Sequence, residues 1–191
     1  YIYNGVLRTY ASACKDTLTT QDMIREYKKD SWSIFKQAEE KGMITSHVVD
    51  SLLAVHVGSR DMDTIEGAIL PIYEAKNLPM TPDTFELLLQ GYDDTMNIPK
   101  ILKIYEKVKN EVGVLTQNSM NILLHNFIRT KSAPDIENML TRFLDEKKTP
   151  KSVLLHSLGN SVNLPESLYV LLHKFDKKYG VIASKKFKVN T

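Results

Sequence analysis

Apolar residues recur along the chain at helical spacing. Tyr3-Asn-Gly-Val-Leu-Arg-Thr-Tyr10, Val49-Asp-Ser-Leu-Leu-Ala-Val-His56, Phe85-Glu-Leu-Leu-Leu-Gln-Gly-Tyr92 and Met120-Asn-Ile-Leu-Leu-His-Asn-Phe127 share one form. Each places apolar or aromatic residues at i, i+3, i+4 and i+7, one face of an α-helix. The anchors Val49, Phe85 and Met120 lie 36 and 35 residues apart, so the pattern is a repeat.

A second amphipathic stretch follows each of these. Thr19 to Lys41 reads as one long helix with Trp32, Ile34, Phe35 and Ala38 inward. Asp63 to Lys76 carries Ile65, Ala68, Ile69, Ile72 and Tyr73, and Pro71 is expected to kink or shorten it. Ile98 to Val108 presents 98, 101, 102, 104, 105 and 108, with Pro99 in the tolerant first turn. Asp135 to Lys147 presents Ile136, Met139, Leu140, Phe143 and Leu144, with Pro134 near its start. From Pro150 to Tyr179 the plan recurs more loosely, Pro165 opening a helix through Leu168, Leu171, Leu172 and Phe175.

Breakers punctuate the links: Lys41-Gly42, Asn77-Leu-Pro79, Val112-Gly113 and Lys148-Thr-Pro150. Thr81-Pro82 and Thr149-Pro150 each read as a capping residue followed by Pro at the first helical position. No stretch alternates as a strand does. The expected fold is all-α: a right-handed α-solenoid of about five antiparallel hairpins, each burying its stripe against its neighbours. The units run approximately 1–45, 46–81, 82–116, 117–151 and 152–181, with a tail at 182–191.

Composition narrows the class. Of 191 residues, 42% are hydrophobic and 25% charged, and no apolar run approaches the ~18–20 residues of a membrane helix, so no membrane contact is expected. A lone Cys14 excludes a disulfide-stapled scaffold. The chain begins at Tyr1, and a leader or upstream region is expected to have preceded it. A net charge of +2 conceals an asymmetry. Residues 174–191 hold Lys174, Lys177, Lys178, Lys185, Lys186 and Lys188 against Asp176, giving +5. The remaining chain has 19 Lys/Arg against 22 Asp/Glu, giving −3. An acidic body suits a polyanion poorly, whereas a basic tail suits phosphates or is a solvated terminus.

Tyr3-Asn4-Gly5-Val6-Leu7-Arg8-Thr9-Tyr10-Ala11 resembles the first helix of a pentatricopeptide repeat: an aromatic, Asn, two aliphatics and a second aromatic a turn later. Asn97 to Gly113 resembles the second helix with its closing Gly, and Ile34-Phe35 to Gly42-Met43 the same ending. The likeness covers residues 1 to about 151, and its period exceeds the 34 residues of the tetratricopeptide family. It implies that two or three side chains per repeat read one RNA base. Carried over, the readers are Asn4 with Thr45 or Ser46, Asp50 with Thr81, Glu86 with Thr116, and Asn121 with Lys151. The family's closing Asp is absent from all four units. Carboxylates at 50 and 86 have the wrong sign for phosphates, so the array is expected to hold RNA by shape and lysines or to grip protein.

Chemistry for catalysis is not encoded in a recognisable motif. There is no Gly-x-Gly-x-x-Gly or Gly-x4-Gly-Lys loop, so no cofactor is expected. Histidines 47, 56, 125, 156 and 173 lack the i, i+4 pairing of a zinc helix, and no metal is expected. His56 occupies the place of Tyr10, Tyr92 and Phe127 and reads as a packed helix residue. The acid clusters Asp61/Asp63/Glu66 and Asp93/Asp94 read as helix-start charges complementing the dipole. No small-molecule substrate is implied. The resemblance implies a non-catalytic structural subunit of an organellar ribonucleoprotein, most specifically the mitochondrial ribosome (or a plastid counterpart), whose partners are rRNA or an organellar transcript and neighbouring proteins. The rival expectation is a tetratricopeptide-like protein–protein scaffold without RNA.

Overall fold

The computed structural model describes residues 2–161 and 164–179. Among them every regular element is helical and no strand occurs. The chain divides into two compact units, residues 1–104 and 105–191.

In the first unit, α1 (Ile2–Lys15) packs on α2 (Gln21–Glu40) and α3 (Ser46–Gly58). Helix α3 in turn meets α6 (Pro82–Asp94) and the segment between them, which comprises α4 (Met62–Thr64), a π-helical turn (Ile65–Ile69) and α5 (Leu70–Ala75). Helix α7 (Ile98–Val108) spans the boundary. In the second unit, α8 (Gln117–Thr130) packs on α9 (Ala133–Asp145) and α10 (Ser152–Gly159), and α11 (Glu166–Tyr179) on α9 and α10.

The predicted stripes supply the core. Val49, Leu52, Leu53 and His56 of α3 are buried, as are Phe85, Leu88, Leu89 and Tyr92 of α6 and Met120, Leu123, Leu124 and Phe127 of α8. Ile136, Met139, Leu140 and Phe143 in α9 and Leu168, Leu171, Leu172 and Phe175 in α11 are also buried. Each large side chain removed from water contributes about 1.5–3 kcal/mol. Helix α1 differs: its buried row is Leu7, Ala11 and Cys14, while Val6 faces outward at 37% exposure. In α2 the inner row is Ser31, Phe35 and Ala38, and the expected Trp32 and Ile34 are only half-buried.

Backbone punctuation repeats with the sequence. Thr20, Thr45, Thr81 and Thr116 each cap a helix by accepting the N–H three residues on, at Met23, Val48, Thr84 and Ser119. Left-handed residues follow the second helices at Gly42, Asn77, Gly113 and Lys147, and the first helices at Arg60, Met96 and Lys131. These two series are spaced 35, 36 and 34 residues, and 36 and 35 residues. Local geometry, and not only apolar spacing, therefore recurs. At position 58 glycine lets α3 approach α1 closely. A Cβ on Gly58 would lie 3.0 Å from the Ala11 carbonyl oxygen and 3.2 Å from Cys14 Cβ.

The expected break at Pro71 takes an unforeseen form, and two other local expectations change. Pro71 has no N–H to donate within a helix, and the chain responds with a π-turn, Leu70 N–H bonding Ile65 O, before restarting as α5. The wide turn aligns Ile65, Ile69 and Tyr73 inward and leaves Ala68, expected inside, exposed. Thr149-Pro150 does not open α10, because Thr149 O is taken by Gln117 Nε2 and the Lys151 N–H by Asn121. The cap falls on Lys151 instead. Asp93 and Asp94 end α6 and do not start a helix, so they face the negative end of its dipole.

Candidate functional site

Of the candidate readers, Asn4 lies on α1, and Asp50, Glu86 and Asn121 lie on α3, α6 and α8, whose caps Thr45, Thr81 and Thr116 are candidates too. The structure joins two of the pairs. Asp50 Oδ2 accepts the Thr81 hydroxyl at 3.0 Å, and Asn121 Oδ1 accepts the Lys151 backbone N–H at 2.8 Å. Each bond ties the start of a first helix to the residue closing the same unit.

Asp50 is 6% exposed and its carboxylate sits in a cage of hydroxyls. Oδ1 accepts Tyr73 Oη at 2.6 Å and Thr84 Oγ1 at 2.5 Å, beside the Thr81 bond on Oδ2. Burial and the adjacent carboxylate push the Tyr73 phenol far above its ordinary range. Thr81 and Thr84 also form a reciprocal capping box, so the α6 cap and the Asp50 cage share atoms. A buried carboxylate needs such donors, since burying one unpaired costs several kcal/mol.

Asn121 is 5% exposed and committed at both ends, its Nδ2 donating to Gln117 O at 2.8 Å. Asn4 Oδ1 is buried with no hydrogen-bond partner among the described residues. Thr116 caps α8 through Ser119 N–H at 3.0 Å. The Ser46 hydroxyl donates to Pro79 O at 2.8 Å. Glu86 lies one turn along α6 on the wall of a groove of about 170 Å³ between α1, α3 and α6. Arg8, Asp50, Ser51, Ala54, Asp83 and Leu87 complete that lining, giving three carboxylates against one guanidinium.

Lys174, Lys177 and Lys178 are exposed on the last turns of α11, where cations complement the dipole. Lys185, Lys186 and Lys188, with the 182–191 tail, lie outside the described residues.

A second polar cluster was not legible as such. His56, with its side chain 2% exposed, sets Nδ1 3.3 Å from Asp61 Oδ2, which also receives Lys28 Nζ at 2.6 Å. Its Nε2 is buried without a partner among the described residues, and Trp32 packs edge-on at 5.9 Å. Burial lowers the imidazole's proton affinity despite Asp61. Burial would raise the Asp61 carboxyl, but Lys28 and the Thr64 hydrogen bonds outweigh it and hold it at about 2. Glu66 accepts Tyr92 Oη at 3.0 Å and Lys100 Nζ at 2.9 Å. The Asp61/Asp63/Glu66 cluster was visible in sequence, yet its partners lie 26 to 34 residues away. Asp61 does also cap α4, through Thr64 N–H.

In unit two, Arg142 clamps the end of α7 by donating to the Val108, Lys109 and Glu111 carbonyls while Nε holds Glu146 at 2.6 Å. No group of three or more His, Cys, Asp or Glu able to hold a metal occurs among the described residues. No helix among them is long and apolar enough to cross a membrane. Compared with known proteins, the chain matches no protein-family model and no curated protein.

Proposed function

We propose that this chain is a non-catalytic, pentatricopeptide-like helical-repeat protein. In this reading it is a right-handed solenoid acting as a structural, RNA-associated subunit of an organellar ribonucleoprotein, most specifically the mitochondrial ribosome. The observation that carries it is the recurrence of threonine caps and left-handed residues at 35-residue spacing, which extends the sequence resemblance into backbone geometry.

The engaged state of Asp50 and Asn121 supports a structural over a base-reading role. Their polar atoms close their own repeats, and presenting them to a base edge would break two or three hydrogen bonds each. RNA contact then falls to shape and to lysines, through charge and not through base identity.

Filter binding of a homopolymer panel at two salt concentrations tests this. Changing Lys177, Lys178, Lys185, Lys186 and Lys188 to Gln weakens binding to all sequences alike, each lost contact flattening the log–log salt slope by ~0.7. Asn4→Ala and Asn121→Ala leave base preference unchanged. Absence of RNA binding by the native chain overturns the reading. It would favour instead a tetratricopeptide-like protein scaffold, which the acidic lining of the α1–α3–α6 groove supports.

A further inference from the structure

We propose that the groove between α1, α3 and α6 seats lysine side chains from the carboxyl-terminal segment, residues 174–191, of a second copy of this chain. The groove's size, lining and charge suit that occupant. At about 170 Å³ it is smaller than the ~300–1,000 Å³ of small-molecule pockets and holds one or two side chains. Ala54 and Leu87 offer apolar surface to an aliphatic stem, while Asp50, Asp83 and Glu86 give the wall a negative charge that attracts its head.

Against these stands only Arg8, so the lining carries a formal −2 whereas residues 174–191 carry +5. The hydroxyl cage fixes the Asp50 charge in place, so that part of the field needs no rearrangement on docking. Phosphates are repelled by the same lining. The segment offers Lys185-Lys186-Phe187-Lys188, cations flanking an aromatic that can cover the apolar wall. The contact is heterologous, groove to tail, and so generates either a reciprocal pair or an open chain of copies.

This goes beyond the ribonucleoprotein reading, and RNA phosphates enter as competitors for the same lysines. Sedimentation of the full-length chain over rising concentration, at low and high salt, is the test. At low salt the mass rises above the 21.8 kDa of one chain and returns to it at high salt, where the screening length shrinks to ~3 Å at 1 M. Asp83→Lys with Glu86→Lys abolishes the rise, as does Lys185→Glu with Lys186→Glu and Lys188→Glu. Mixing the two charge-reversed proteins restores association. The neutral pair Asp83→Asn and Glu86→Gln, milder for α6, weakens it.

A mass that stays at one chain throughout overturns the proposal, as does association indifferent to the groove changes. If the native chain is monomeric and only the tail changes abolish RNA retention, the tail serves RNA, and the functional reading survives alone. Salt-sensitive, groove-dependent association without RNA binding leaves this inference standing and removes the other.

Discussion

Asn121 Oδ1 accepts the backbone N–H of Lys151 at 2.8 Å, although thirty residues separate them. Asp50 and Thr81 make the equivalent contact one unit earlier but one (3.0 Å), there through a hydroxyl and inside a larger cage. In both places the first helix of a unit is fastened to the residue that closes that unit and caps the helix after it. The polar residue at that position works as an internal latch.

Removing a latch should cost more at Asp50 than at Asn121. Asp50→Ala strands three hydroxyls, two of them on buried Tyr73 and Thr84, and hydrogen bonds to a charged group contribute about 1.5–3 kcal/mol each. A loss of about 3 kcal/mol or more is expected by urea unfolding. For Asn121→Ala, with neutral bonds, about 1–2 kcal/mol is expected. Equal effects would mean the cage contributes no more than the two neutral bonds of Asn121.

Core truncation gives a reference scale. Leu88→Ala and Leu123→Ala, at 3% and 0% exposure, should each cost about 2–5 kcal/mol through the cavity left behind. Near-zero changes in unfolding free energy at both would contradict the burial of these helix faces.

The two helical glycines at contacts should respond oppositely to alanine. At Gly58 the new Cβ meets backbone, Ala11 O at 3.0 Å, which cannot yield without separating α1 from α3. Gly58→Ala should destabilise by ~1–3 kcal/mol. At Gly91 the obstacle is the flexible end of Met62, Sδ at 2.8 Å, which can swing aside. There the better helix propensity of alanine, worth up to ~1 kcal/mol, should offset the clash. Thermal melts of both variants distinguish the cases.

Stability should fall with acid through two groups. Unfolded histidine titrates near 6.5, whereas folded His56 takes its proton only at lower pH. The unfolded state thus binds more protons below 6.5, so stability drops as pH falls from there through the folded value. Asp61 contributes fully above 3.8, and its share is lost as pH falls from 3.8 toward about 2. Urea midpoints from pH 8 downward should show the first decline in the native chain and a shallower one in His56→Gln. Lys28→Met should shrink the Asp61 contribution, because the folded carboxyl then rises back toward 3.8.

Met96 adopts φ of 55° at the end of α6 with 71% of its surface exposed. An L-residue there bears part of the left-handed cost of ~1–2 kcal/mol that glycine avoids. Met96→Gly should raise the unfolding free energy by up to ~1 kcal/mol, read from the urea midpoint.

The helices and the Thr81 cap were legible in the sequence because they depend on residues within a turn or two of one another, whereas the caps at Thr20, Thr45 and Thr116 were not singled out and Thr149 does not cap. A threonine three residues before its target N–H, or an apolar residue at i+4, carries its partner with it. The local departures had weaker signals. Pro71 announced a break but not that a π-turn would resolve it, which depended on keeping Ile65, Ile69 and Tyr73 inward together.

What the sequence left open belongs to contacts made across 23 to 34 residues. Asp50 was readable as a carboxylate at a reader position, but only packing of α3 on α5 and α6 brings Tyr73 and Thr84 to its oxygens. His56 was readable as a packed residue, yet only the packing of α2 brings Lys28 to the Asp61 carboxylate beside it. A side chain's type records what it can bond, whereas its partner is selected by which helices stack against it. Amphipathic spacing specifies that a face is buried without specifying against what. The helices are therefore properties of the chain's local chemistry, and the latches between them are properties of the assembled core.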